Sequence, residues 1–141
     1  MLTNTDIDWQ GDCQFKVTTT GGFTVAVDAE NTQAPCPTEL LLSALGSCSA
    51  TDVALYFQDK GVNLESLNNQ VTYTLTDSEP RLYESANLHF TVKGYGITAS
   101  DVELAARKAI TQYCHVCLML QPAIRITYSV EVIDGDRETA S

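Results

Sequence analysis

The alternation of apolar and polar positions divides the chain into short strands and two helices. Cys13, Phe15 and Val17 alternate with Gln14, Lys16 and Thr18, and beyond Gly21-Gly22 the period of two resumes in Phe23, Val25 and Val27. This predicts a hairpin with a glycine turn. Asn31 to Pro37, NTQAPCP, has the proline and polar content of a loop. The pattern then changes over Pro37 to Gly61, PTELLLSALGSCSATDVALYFQDKG, where no charged residue falls between Leu40 and Thr51 and apolar positions lie all round a helix. A buried central helix is predicted, started by Pro37 and ended by Gly61. Its uncharged run is far short of the roughly 20 residues that span a bilayer, so a core helix is expected and not a membrane segment. Val71, Tyr73 and Leu75 next alternate with threonines, DSEPR turns the chain, and Leu88, Phe90 and Val92 alternate with His89, Thr91 and Lys93. Two further strands follow, with His89 on a solvated face. Ser100-Asp101-Val102-Glu103 has the form of a capping box and predicts a helix from near Asp101, with Val102, Ala105, Ala106, Ala109, Ile110 and Tyr113 as its apolar stripe. After Pro122, Ile126, Tyr128, Val130 and Val132 alternate as a last strand, and the polar tail from about Asp134 is expected to fray. With no repeat or linker, this order predicts one α+β domain over residues 1–141, two principal helices packed on an antiparallel sheet.

Charge narrows the partners. A net charge of -10, from 18 acidic and 8 basic residues, argues against nucleic acid and against anionic membrane surfaces, both of which are gripped by clustered Lys and Arg. The N-terminal MLTNTDIDWQGDC has neither the basic start nor the apolar run of a signal peptide, so a cytoplasmic location is expected. Five cysteines, an odd number, then read as thiols or a redox pair before they read as a structural disulfide framework.

The candidate chemistry lies in those cysteines. Cys48 is flanked by Gly46, Ser47, Ser49 and Ala50, small residues that allow close approach of another element and leave the sulfur at the floor of a narrow crevice. A free cysteine also commonly packs as a small hydrophobe, so the residue alone decides nothing. Cys36, between two prolines, reads as a loop thiol without a role. Tyr113 to Leu120, YCHVCLML, contains a CxxC pair. Zinc needs about four ligands, and no second CxxC or spaced His pair completes a set. A thioredoxin-like motif belongs near the start of a βαβ unit, whereas this one comes late, after an alanine-rich helix.

PTELLLSALGSCSATDV, followed 66 residues after its cysteine by that of YCHV, within this order of strands and helices, resembles the OsmC/Ohr family of thiol peroxidases. The resemblance runs from about Cys13 to Ile133. It implies an OsmC-like fold in an intertwined homodimer with its sites at the interface. It also implies that Cys48 is the nucleophile and Cys114 the resolving thiol of a cysteine-based peroxidase that needs no metal or cofactor. Cys48 would attack the distal oxygen of an organic hydroperoxide, Cys114 would convert the sulfenic acid to a disulfide, and an external dithiol would restore the pair. A crevice of Leu, Ala, Phe and Tyr side chains is expected to favour apolar hydroperoxides. Cys117 has no counterpart in the pattern and reads as packing. Well-studied members position the peroxide with an arginine from the N-terminal strands, held by a glutamate directly after the proline. Here no arginine precedes Arg81, Thr38 follows Pro37, and Glu39 comes one place later as a supporting residue, nine positions and half a turn out of phase from Cys48. Asp52, one turn after Cys48, would raise that thiol's pKa. These departures resemble the broader OsmC-like branch, and leave open a non-enzymatic protein that binds or senses a small apolar or electrophilic ligand.

Overall fold

Three antiparallel strands open the chain, one more than the predicted hairpin: β1 (Asp6–Gly11), β2 (Gln14–Thr18) and β3 (Thr24–Asp28), in the order β1-β2-β3. A computed structural model describes residues 3–135. It divides into two compact units, Met1–Ser43 and Ala44–Ser141, with the division inside the long helix α1 (Pro37–Asp59).

In the first unit the expected hairpin forms, pairing Phe15 with Val27 and Val17 with Val25. Its turn needs Gly22, at φ +84°, whose N–H donates to the Thr19 carbonyl at 2.9 Å. β1 carries a short alternation of its own, Ile7 and Trp9 between Asp6, Asp8 and Gln10, and both apolar residues are exposed, at 60% and 66%. The loop into α1 is organised by Asp28, buried at the end of β3. Its carboxylate accepts from the N–H groups of Glu30 (2.9 Å), Thr32 (3.3 Å) and Gln33 (3.0 Å) and from the Thr32 hydroxyl (2.9 Å). Those donors, the Gln33 N–H foremost, hold the carboxyl below its ordinary pKa. The stability it contributes is therefore present above its unfolded-state value and lost as pH falls through the lowered one. Asp28→Ala should lower the thermal midpoint at neutral pH, with a deficit that shrinks towards strongly acid pH. A deficit independent of pH in thermal melts would contradict this role.

The second unit is built on β4 (Ser66–Leu75), β5 (Tyr83–Gly94) and β6 (Arg125–Asp134), with β5 in the middle. β4 runs antiparallel to β5, but β6 runs parallel to it, so this sheet is mixed where an antiparallel one was expected. The cause is the connection: β5 reaches β6 through a helical crossover, which is how parallel neighbours are joined. That crossover comprises α2 (Ala99–Lys108), a π-helical turn (Ala109–Tyr113) and a third helix, α3 (His115–Leu120). Along β5 the residues Ala86, Leu88, Phe90, Val92 and Gly94 are buried, while His89 and its polar neighbours lie on the other face, where His89 Nδ1 is 2.7 Å from the Ser129 hydroxyl.

α2 begins at Ala99, two residues earlier than predicted. Thr98 is the N-cap, its hydroxyl accepting from Asp101 N–H at 3.2 Å while the Asp101 carboxylate accepts from Thr98 N–H at 3.1 Å. Two overlapping capping boxes compete here. The earlier frame also buries Ile97 before the cap and Val102 within the first turns, the two positions of a hydrophobic staple. The predicted stripe is buried from Val102 to Ile110, but Tyr113 is 55% exposed.

α1 is not buried all round as expected. Leu42, Leu45, Gly46, Ser49, Val53 and Phe57 form one buried face, and Leu41 and Leu55 are exposed. By length and composition its 23 residues would suffice to cross a membrane, which the shorter uncharged run concealed. The tail expected to fray begins at Asp134, which pairs with Gly94 at the end of β6, while residues 136–141 lie outside the described residues.

Candidate functional site

Close approach between α1 and the sheet is set by Gly46. A Cβ there would stand 3.0 Å from the Val71 side chain, tighter than ordinary contact. The bare backbone lets Asn69 on β4 donate from Nδ2 to the Gly46 carbonyl at 2.9 Å and to the Ser49 hydroxyl at 3.2 Å. Ser49 in turn donates to the Leu45 carbonyl at 2.8 Å. These bonds pin the turn of α1 that carries Cys48, which is half-buried.

Cys114 arrives from the crossover by an unusual route. The π-helical turn, closed by Cys114 N–H donating to the Ala109 carbonyl at 2.7 Å, inserts one extra residue per turn and ends α2's register. Cys114 then adopts an extended conformation and caps α3, accepting on Sγ from Cys117 N–H at 3.4 Å. It thus sits at a break between helices, where the sequence placed it on one. Breaks of this kind recur at functional sites.

The result is a cluster. Cys48 Sγ, Cys114 Sγ and an Asp52 carboxyl oxygen lie within 4.8 Å of one another, so the two sulfurs need only a modest side-chain movement to bond. Cys117 is also buried beside Cys114. Burial pushes the Cys114 thiol up, opposed by the bond from Cys117 N–H, and burial pushes Cys117 far above the ordinary thiol range, aided by its hydrogen bond with Cys114. Cys117 is therefore held as a neutral thiol. Burial also raises the pKa of Asp52, partly offset by His115. Three donors are one short of a tetrahedral zinc set, and no fourth joins them at this spacing among the described residues.

The other candidates lie elsewhere. Glu39 is exposed and accepts from Asn31 Nδ2 at 3.0 Å. Cys36 Sγ is 3.4 Å from the Thr38 hydroxyl, and Cys13 is raised chiefly by its hydrogen bond with Glu30.

A cavity of about 660 Å³ adjoins the cluster, with Asp52 common to both. Leu55, Tyr56, Ala105 and Tyr113 supply apolar wall, but the lining includes no Phe and not Cys48 itself, and Asp59, Lys60, Lys108 and His115 make it more polar than the crevice expected around Cys48. Both lysines stand over the Tyr56 ring, at 5.0 and 5.8 Å from its centroid. Sequence reasoning missed this group because its members are scattered over α1 and the residue after it, α2, the π-helical turn and α3. Only the spacing of Asp52 from Cys48 could have pointed to any of it.

Comparison with known proteins bears on the fold as a whole. The family model for OsmC-like protein matches residues 28–129. Protein YhfA of Escherichia coli is 32% identical over 128 residues, covering 90% of this chain and 96% of its own. A hypothetical protein from Aquifex aeolicus superposes with a TM-score of 0.85 at 20% identity, covering 96% of this chain and 99% of that one. An organic hydroperoxide resistance protein OsmC from Legionella pneumophila gives a TM-score of 0.69 at 18% identity, covering 94% and 99%. The last two likenesses are of fold.

Proposed function

The chain belongs to the OsmC-like family, and from that premise we propose that it is a thiol peroxidase reducing small organic hydroperoxides, with Cys48 as nucleophile and Cys114 as resolver. One observation carries the reading: two sulfurs from distant parts of the chain lie within 4.8 Å, next to a cavity large enough for a small organic molecule. The thiolate of Cys48 attacks the distal oxygen, the O–O bond breaks, and the alcohol leaves. Cys114 then attacks the sulfenic sulfur, forming the disulfide and releasing water. An external dithiol, as in a reducing cytoplasm, returns the protein to its dithiol form. Mixing reduced protein with excess cumene hydroperoxide in the absence of reductant should give one cumyl alcohol per chain and the loss of two thiols. No alcohol formed would overturn the reading.

The raised thiols of Cys114 and Cys117 and the absence of an arginine before Arg81 favour a second reading, in which the cavity binds a small electrophilic ligand without turnover. That reading predicts slow thiol loss spread over several cysteines, with cumyl alcohol appearing only as slowly as those thiols are lost.

The protein is further proposed to be a homodimer. Leu55, Tyr113, Leu118 and Met119 are exposed in the second unit, more apolar surface than charge patterning explains, and a second chain in the family's intertwined arrangement would cover part of it. Sedimentation at micromolar concentration should show twice the 15.4 kDa chain mass, and a monomer would rule the dimer out.

A further inference from the structure

Peroxide reduction by two thiols moves protons as well as electrons, and the site holds one group able to carry them. Asp52 lies one helical turn after Cys48, on the same face of α1, with its carboxyl within 4.8 Å of both sulfurs. Among the described residues no hydrogen bond or ion pair ties that carboxyl down, and it opens onto the cavity. The groups facing it are Cys48, Tyr56, Asp59 and Lys60 on or just beyond α1 and Lys108 on α2. From the rest of the crossover come Tyr113, Cys114, His115 and Cys117.

We propose that Asp52 is the proton shuttle of the site, serving both the attack of Cys48 on the hydroperoxide and the closure of the Cys48–Cys114 disulfide. The assignment rests on the peroxidase reading above. The Asp52 carboxylate takes the Cys48 proton. The resulting thiolate forms the S–O bond as the O–O bond breaks, and Asp52 passes the proton to the departing alkoxide, giving the alcohol. Asp52, again a carboxylate, then takes the Cys114 proton. Cys114 forms the S–S bond, the sulfenic oxygen leaves as hydroxide, and Asp52 protonates it to water. Two thiols and one hydroperoxide become a disulfide, an alcohol and water, with Asp52 unchanged. Burial, which raises the carboxyl towards the thiol range, makes each transfer less uphill. One intervening water or a rotamer change spans the distance.

The test is the pH dependence of single-turnover oxidation by cumene hydroperoxide in the parent, Asp52→Asn and Asp52→Glu. The parent rate should fall as pH drops through the raised Asp52 value, because a protonated carboxyl cannot accept from Cys48. Asp52→Asn should be slower by about 100-fold or more at neutral pH and should gain roughly tenfold per pH unit as hydroxide takes over. Asp52→Glu should recover part of the neutral rate and the parent's profile shape, and matching melting temperatures would exclude misfolding. If the carboxylate acts only as a negative charge holding the Cys48 proton in place, Asp52→Asn should be as fast as the parent or faster, which would overturn the shuttle while leaving the peroxidase intact. A parent that yields no alcohol at all would overturn both.

Discussion

Cys48→Ser is expected to reduce hydroperoxide turnover by on the order of 10⁴-fold or more, because a serine hydroxyl at neutral pH is a far weaker nucleophile towards an O–O bond than a thiolate. The substitution is nearly isosteric at a half-buried position, and the bonds that frame this turn of α1 run from Asn69 to Gly46 and Ser49, not to Cys48. The variant should therefore melt close to the parent temperature, and the loss should be chemical. Steady-state consumption of cumene hydroperoxide checks this, and retained turnover would remove Cys48 from the mechanism.

The second large effect separates the two halves of the CxxC pair. Cys114→Ala should still consume one hydroperoxide but should stop at a sulfenic acid on Cys48, which dimedone traps and mass spectrometry locates. Cys117→Ala should form the first disulfide at close to the parent rate. The asymmetry follows from position: Cys114 Sγ is in the cluster with Cys48, whereas Cys117 is a neutral thiol whose N–H supports Cys114. An intramolecular disulfide to Cys117 in Cys114→Ala would transfer the resolving role to Cys117.

The period of two in the sequence found β2 to β6, although burial alternates regularly only along β4, β5 and β6, and Val25 of β3 is 41% exposed. β1 carries the same period, Ile7 and Trp9 between Asp6, Asp8 and Gln10, but in a short run outside the predicted strands. Strand direction was partly legible. A helical stretch between the strands ending at Gly94 and beginning at Arg125 is a βαβ crossover, a reason for a parallel pair that the expectation of an antiparallel sheet passed over. The π-helical turn was not legible, since Ala109 to Tyr113 continues the apolar stripe and only packing decides that an extra residue is inserted, turning Tyr113 outward and Cys114 inward. The pairing of Cys48 with Cys114 came from family resemblance, because no local pattern links residues 66 positions apart. The role proposed for Asp52 was hidden by reading it only as a charge beside a thiol. Its place between sulfur cluster and cavity requires the folded chain.

Stopped-flow oxidation of the fully reduced protein with limiting cumene hydroperoxide, followed by mass spectrometric mapping of all five cysteines, tests the central claim most directly. The account predicts rapid, stoichiometric formation of a single Cys48–Cys114 disulfide, with Cys13, Cys36 and Cys117 left as thiols. Slow oxidation spread indiscriminately over the five cysteines would contradict it.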